Sequence, residues 1–200
     1  DRRQRQMCIR DRCQLDETKG GKAMNNEQLL QMYDAIRQQP DLLVKAAARK
    51  RLINFARYMQ PDLVLEPFHV VYYTLLDMFA HGKIRKMIVQ QPPQHGKSEG
   101  SSRKLPAFME GLNPDLKIVI GSYAATIARD FNRDVQRIID TPRYRELFPG
   151  TYLNRSNVVT MANTYLRNSD VIEMVGRKGS LRVVAVSYTH LRAHETVLDL

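Results

Sequence analysis

Gly96, Lys97 and Ser98 are the residues of this chain best suited by type and spacing to do chemistry. A glycine lets backbone approach an anion closely, a lysine ammonium on a flexible stem neutralises phosphate charge, and a serine hydroxyl can ligate Mg²⁺. The full run, Gln91-Pro92-Pro93-Gln94-His95-Gly96-Lys97-Ser98, departs from the Gly-x-x-x-x-Gly-Lys-[Ser/Thr] pattern only at its first position, where Gln91 replaces glycine. Such triplets arise by chance, and an ordinary basic turn that caps a helix with Ser98 is the bland alternative. What raises this one above chance is its place between an apolar β-leaning run and a helical pattern, with two prolines stiffening the approach. A helix N-terminus there would aim N–H groups and the positive end of its dipole at the anion.

The elements that must position the loop follow from periodicity. Ile84–Gln90 is short and β-leaning, and a helix is expected from the loop to Glu110, with Gly111, Asn113 and Pro114 as stop signals. Leu116–Ile120 is the next expected strand, and 124–140 an amphipathic helix with Ile127, Phe131, Val135, Ile138 and Ile139 on one side. A short helix over 144–148 and strands over 158–161, 171–175 and 181–186 follow. Upstream, two helices are expected on either side of Pro40, spanning 25–59, and a third over 66–80, with Val70, Tyr73, Leu76 and Met78 among its apolar positions and His81-Gly82 closing it. Strand and helix alternate between 84 and 140, which argues for an α/β fold with a parallel sheet.

Composition excludes several classes. The chain has 200 residues, 43% hydrophobic and 26% charged, which suits a globular fold, and no run reaches the roughly 18 apolar residues of a membrane span. Cys8 and Cys13 are the only cysteines, so the body of the chain is neither a disulfide scaffold nor a Cys-ligated zinc domain. The net charge of +10 favours a polyanionic partner, although a solvated basic surface explains it as well. The opening Asp-Arg-Arg-Gln-Arg-Gln-Met-Cys and the closing Ser-Tyr-Thr-His-Leu-Arg-Ala-His resemble translated sequencing-adapter read-through. Residues 1–13 and 187–200 are therefore set aside as non-native ends, and His190 and His194 with them as metal-ligand decoys. The expected organisation is a helical segment over 14–60 followed by an α/β domain over 61–186.

Gln91–Glu99 resembles the deviant Walker A loop of the large terminase subunit of tailed bacteriophages. The likeness continues through Leu112-Asn113-Pro114-Asp115-Leu116-Lys117-Ile118-Val119-Ile120-Gly121-Ser122-Tyr123, through Ala128–Ile139, and through Tyr144-Arg145-Glu146-Leu147-Phe148-Pro149. It covers about residues 60–186 and is more specific than any single motif.

That resemblance implies a truncated P-loop NTPase of the RecA-like kind, an ATPase that drives duplex DNA into a procapsid, in a parent protein that also carries an endonuclease domain. ATP and Mg²⁺ would be the cofactors. Pro93, Gln94, His95, Gly96, Lys97, Ser98 and Glu99 would surround the nucleotide, Lys97 acting on the β- and γ-phosphates and Ser98 on the metal. Gln94 stands where many members have arginine, and Pro67-Phe68-His69 falls where the family tends to place adenine-side contacts, although a core phenylalanine would explain Phe68 equally well. The small terminase subunit, the portal protein and a homo-oligomeric ring are the implied partners, and the host cytoplasm the implied location. Arg129, Arg133 and Arg143 are arginine-finger candidates, with surface salt bridging as the alternative. No Walker B strand ending in two acids occurs up to Val186: Ile138-Ile139-Asp140 is too short, and Val171-Ile172-Glu173 is read with its acid inside the strand. A helicase-type DNA translocase and a non-catalytic basic nucleic-acid-binding module are the competing readings.

Overall fold

The computed structural model describes residues 40–159 and 164–185. The helix expected over 25–39, both set-aside ends, and residues 160–163 and 186 lie outside them. By contact density the chain separates into residues 1–40 and 41–200, and the elements from Asp41 onward belong to the second unit.

Helices α1 (Pro40–Lys50), α2 (Leu52–Met59) and α3 (Pro67–Ala80) lead the described chain. The single helix expected over 41–59 is broken at Arg51, whose backbone is extended (φ −134°, ψ 128°). The cause is Asp77, a buried residue of α3. Its carboxylate accepts the Leu52 N–H at 2.8 Å and pairs with Arg51 Nε at 3.1 Å, so α2 starts on a borrowed cap. Leu52, Phe55 and Ala56 of α2 are buried, and α3 buries Tyr72, Tyr73, Leu76 and Phe79. Val70, expected inside, is exposed on the opposite side of α3 together with Val71.

After Ser98 the chain makes a π-helical turn, Glu99–Lys104, and continues as α4 (Leu105–Leu112). The wide turn has a local cause. Pro106 has no N–H to donate, and its ring would strike the Ser102 carbonyl in a regular α-helix, so Leu105 N–H reaches Gly100 C=O instead. Phe108 of α4 meets Phe55 at 5.4 Å between ring centroids and Phe148 at 6.4 Å, while Tyr144 meets Phe148 at 5.2 Å, so one aromatic cluster ties α2, α4 and α6 (Pro142–Leu147) together.

Strands β1 (Lys117–Ser122), β2 (Val171–Glu173) and β3 (Ser180–Ala185) form one sheet in the order β1-β3-β2. β1 runs parallel to β3 and β2 antiparallel to it, so the sheet is small and mixed rather than parallel throughout. The register pairs Ile118 with Leu181 and Ile120 with Val183, placing four apolar side chains on one buried face. Helix α5 (Ala125–Asp140) connects β1 to α6 and packs on β1 and β3. Its buried face is not the wholly apolar one expected. Ala128, Asn132, Val135, Gln136 and Ile139 point inward, and the Asn132 and Gln136 amides donate to the carbonyls of Ser169 (2.9 Å) and Asn168 (2.8 Å).

Two expected strands differ among the described residues. Of 158–161, Val158 forms an isolated bridge to Arg167, Val159 belongs to no strand, and residues 160 and 161 lie outside the described residues. Ile84–Gln90 is extended, and its burial alternates as in a strand, with Met87 and Val89 inward and Ile88 73% exposed, but it makes no ladder with any described residue. The parallel neighbour of β1 is β3, some 60 positions later, and not the segment that feeds the loop.

Candidate phosphate-binding loop

Residues 91–98 form an irregular bend between the extended segment and the helix that starts at Lys97. Gln94 (φ 64°) and Gly96 (φ 74°) both lie in the left-handed region. Left-handed residues interleaved with right-handed ones turn successive N–H groups into a concave array suited to an anion. Glycine carries this conformation without strain, whereas Gln94 adopts it at a cost of about 1 kcal/mol. Among the described residues, no protein acceptor takes the backbone N–H of Gln94, His95, Gly96, Lys97 or Ser98. The Lys97 ammonium forms no ion pair and the Ser98 hydroxyl no hydrogen bond among them either.

Helix α3 closes the other side of the bend. Its capping box sets the His69 ring: Nδ1 accepts the Glu66 N–H at 3.0 Å, which leaves Nε2 as the donor to His95 C=O at 3.3 Å. Tyr72 donates its hydroxyl to Lys97 C=O at 2.7 Å, and Ser101 Oγ donates to the same carbonyl at 2.9 Å. Burial pushes the Tyr72 phenol above its ordinary pKa, so it remains a donor across neutral pH. His95 Nδ1 donates to Pro93 C=O at 2.7 Å. Two glycines make the approach possible. A Cβ on Gly100 would lie 2.6 Å from the Tyr72 ring, and one on Gly96 would lie 3.3 Å from His69 Nε2. Phe68 is not a core residue: it is 41% exposed, stacked on His69 at 3.9 Å and 5.7 Å from the His95 ring.

Glu99 is engaged elsewhere. The π-helical turn brings Lys104 Nζ to within 3.1 Å of Glu99 Oε1, while Arg103 Nη1 holds Oε2 at 3.0 Å and its Nε holds Asp134 at 2.7 Å. The Glu99 carboxylate therefore braces the helix beside the loop instead of facing it. Neither this network nor the Tyr72 contact follows from residue spacing, since each depends on which turn of the helix lies over α3 and α5.

The arginine-finger candidates are occupied within the chain. Arg129 pairs with Asp170 at 2.6 Å, Arg133 with Asp130 at 3.0 Å, and Arg143 donates to Tyr58 C=O at 3.1 Å. The acids weighed for a second motif are bound too. Asp140, at the end of α5, is paired with Arg167, and Glu173 stands at the end of β2, not inside it, where its carboxylate accepts the Leu166 N–H at 3.0 Å. A separate cavity of about 290 Å³, which no loop residue lines, is bordered by Arg133, Gln136, Arg137, Asp140 and Arg167. Among the described residues no helix is long and apolar enough to cross a membrane, and no group of three acidic, histidine or cysteine side chains is placed to hold a metal ion. Comparison with family models, with curated proteins and with solved structures returned no match.

Proposed function

We propose that this chain is the nucleotide-binding part of a viral DNA-packaging motor, an ATPase related to the large terminase subunit and built on a P-loop NTPase core. One observation carries the reading: five consecutive N–H groups, the Lys97 ammonium and the Ser98 hydroxyl, all without a protein partner among the described residues, belong to one bend at the start of a helix. That donor set matches a triphosphate tail in charge and in hydrogen-bonding character, and accepts Mg²⁺ at a single hydroxyl. The N–H groups of Gly96, Lys97 and Ser98 would hold the phosphates, Lys97 would neutralise charge on the transferring group, and Ser98 would ligate the metal. Bound Mg²⁺ would supply bridging charge neutralisation between the β- and γ-oxygens. Phe68, half-exposed beside His95, offers a face for the base. The extended segment 84–90 feeds the loop as a P-loop strand would, although unpaired among the described residues.

Duplex DNA would be contacted through phosphates by basic surface, with small-subunit, portal and ring contacts belonging to the parent protein. The test is calorimetric titration with Mg·ATP. Lys97→Ala is expected to weaken binding at least about tenfold while shifting the thermal midpoint by less than about 3 °C, because the ammonium makes no ion pair among the described residues. Equal affinity of wild type and variant overturns the assignment. Salt-sensitive DNA binding indifferent to ATP would instead favour the basic binding module.

A further inference from the structure

The bend between Pro93 and Ser98 is held by side-chain donors on alternate carbonyls. Pro93 C=O accepts from His95 Nδ1, His95 C=O from His69 Nε2, and Lys97 C=O from Tyr72 Oη and Ser101 Oγ. In a trans peptide the carbonyl of one residue and the N–H of the next point in opposite directions, and no described peptide here is cis. Fixing the carbonyls of residues 93, 95 and 97 therefore fixes where the N–H groups of Gln94, Gly96 and Ser98 point, in each case away from the donor that holds the carbonyl.

Two of those donors come from α3, a helix 25 or more positions upstream, and both are themselves constrained. His69 is set by the Glu66 N–H on its Nδ1, and Tyr72 passes over Gly100 so closely that a single methyl group would block it.

We propose that His69 and Tyr72 are positioning residues that hold the loop amides in an anion-ready arrangement by gripping the carbonyls of His95 and Lys97. The inference rests on the reading of the loop as a phosphate site, but adds what keeps that site open. Neither residue touches the anion. Each replaces the reorganisation a floppy loop would undergo on binding with an arrangement already made. Ser101 shares the load at Lys97, so loss of the Tyr72 hydroxyl loosens that carbonyl rather than freeing it.

The test uses the full chain with sodium tripolyphosphate as probe, followed by calorimetry, with thermal midpoints measured alongside. Tyr72→Phe removes only the hydroxyl and is expected to weaken tripolyphosphate binding about fivefold, the loss of one net hydrogen bond's worth of order, with the midpoint nearly unchanged. His69→Leu is expected to weaken it similarly. His69→Gln, whose amide N–H reaches about as far as Nε2, is expected to restore most of the affinity, which a purely structural role would not produce. If Tyr72→Phe does not fold, the His69 pair decides. Wild-type affinity in both Tyr72→Phe and His69→Leu, with binding still lost in Lys97→Ala, overturns the positioning role and leaves the phosphate site standing. Absence of any tripolyphosphate binding by the wild type at millimolar concentration overturns both.

Discussion

Replacing Gly179 by alanine is expected to lower the unfolding free energy by about 3 kcal/mol and the thermal midpoint by about 10 °C. A Cβ at this position would sit 2.2 Å from Pro114 O and 2.9 Å from Leu116 O, both backbone atoms. Neither side can yield cheaply. Ser180 N–H donates to Leu116 C=O at 3.0 Å, Lys178 N–H to the Asp115 carboxylate at 2.9 Å, and Met174 N–H to Gly179 C=O at 3.1 Å, so the β2–β3 turn and the turn leading into β1 are laced together. The parallel pairing of β1 with β3 begins at the next residue, Lys117 opposite Ser180, and relief of the clash would pull the ladder apart from that end. Chemical denaturation of the two proteins measures the difference. A loss below about 1 kcal/mol would mean that this close approach is not a fixed feature of the sheet.

The second large effect concerns Glu110, on α4. It is fully buried, and neither carboxylate oxygen has a hydrogen-bond partner among the described residues. Burial raises its pKa from the usual 4.5 to about 8. The folded chain thus keeps a proton that the unfolded chain releases above pH 4.5. Stability therefore falls as pH rises from about 4.5, and the loss levels off above about 8. Glu110→Gln keeps the size and polarity of the protonated acid and removes its ionisation. The variant is expected to match the wild type near pH 4 and to exceed it by roughly 3 kcal/mol at pH 7, with a larger margin at pH 9. Denaturation curves at the three pH values test this, and parallel pH dependences of the two proteins would contradict it.

Much of the helical frame was legible because its signals are local. Helix α3 ends at His81 with Gly82 in the left-handed region, as the His81-Gly82 pair predicts, and α5 and β1 fall within a residue or two of their periodic runs. What was not legible depends on partners distant in sequence. Arg51 interrupts a continuous helical pattern because Asp77, 26 positions later, caps the following helix. Asn132 and Gln136 turn inward against the apolar pattern because the carbonyls of Asn168 and Ser169 lie beneath them. The β-leaning run 84–90 has the alternation of a strand, but strand pairing is a property of two segments, and this run pairs with no described one. The loop itself was recognisable from Gly96, Lys97 and Ser98. Of the residues that shape it, His69 was marked only through the family resemblance, as an adenine-side contact, and Tyr72 not at all, since no spacing rule links a helix face to carbonyls 25 positions away.

If the bend at 94–98 receives a triphosphate on its backbone amides, amide ¹H–¹⁵N shifts recorded during a titration with Mg·ATP will change most at Gly96, Lys97 and Ser98, and the titration will need at least about tenfold more nucleotide in Lys97→Ala. Unmoved loop amides at millimolar nucleotide, or changes centred instead on the cavity bordered by Arg133, Arg137 and Arg167, would contradict it.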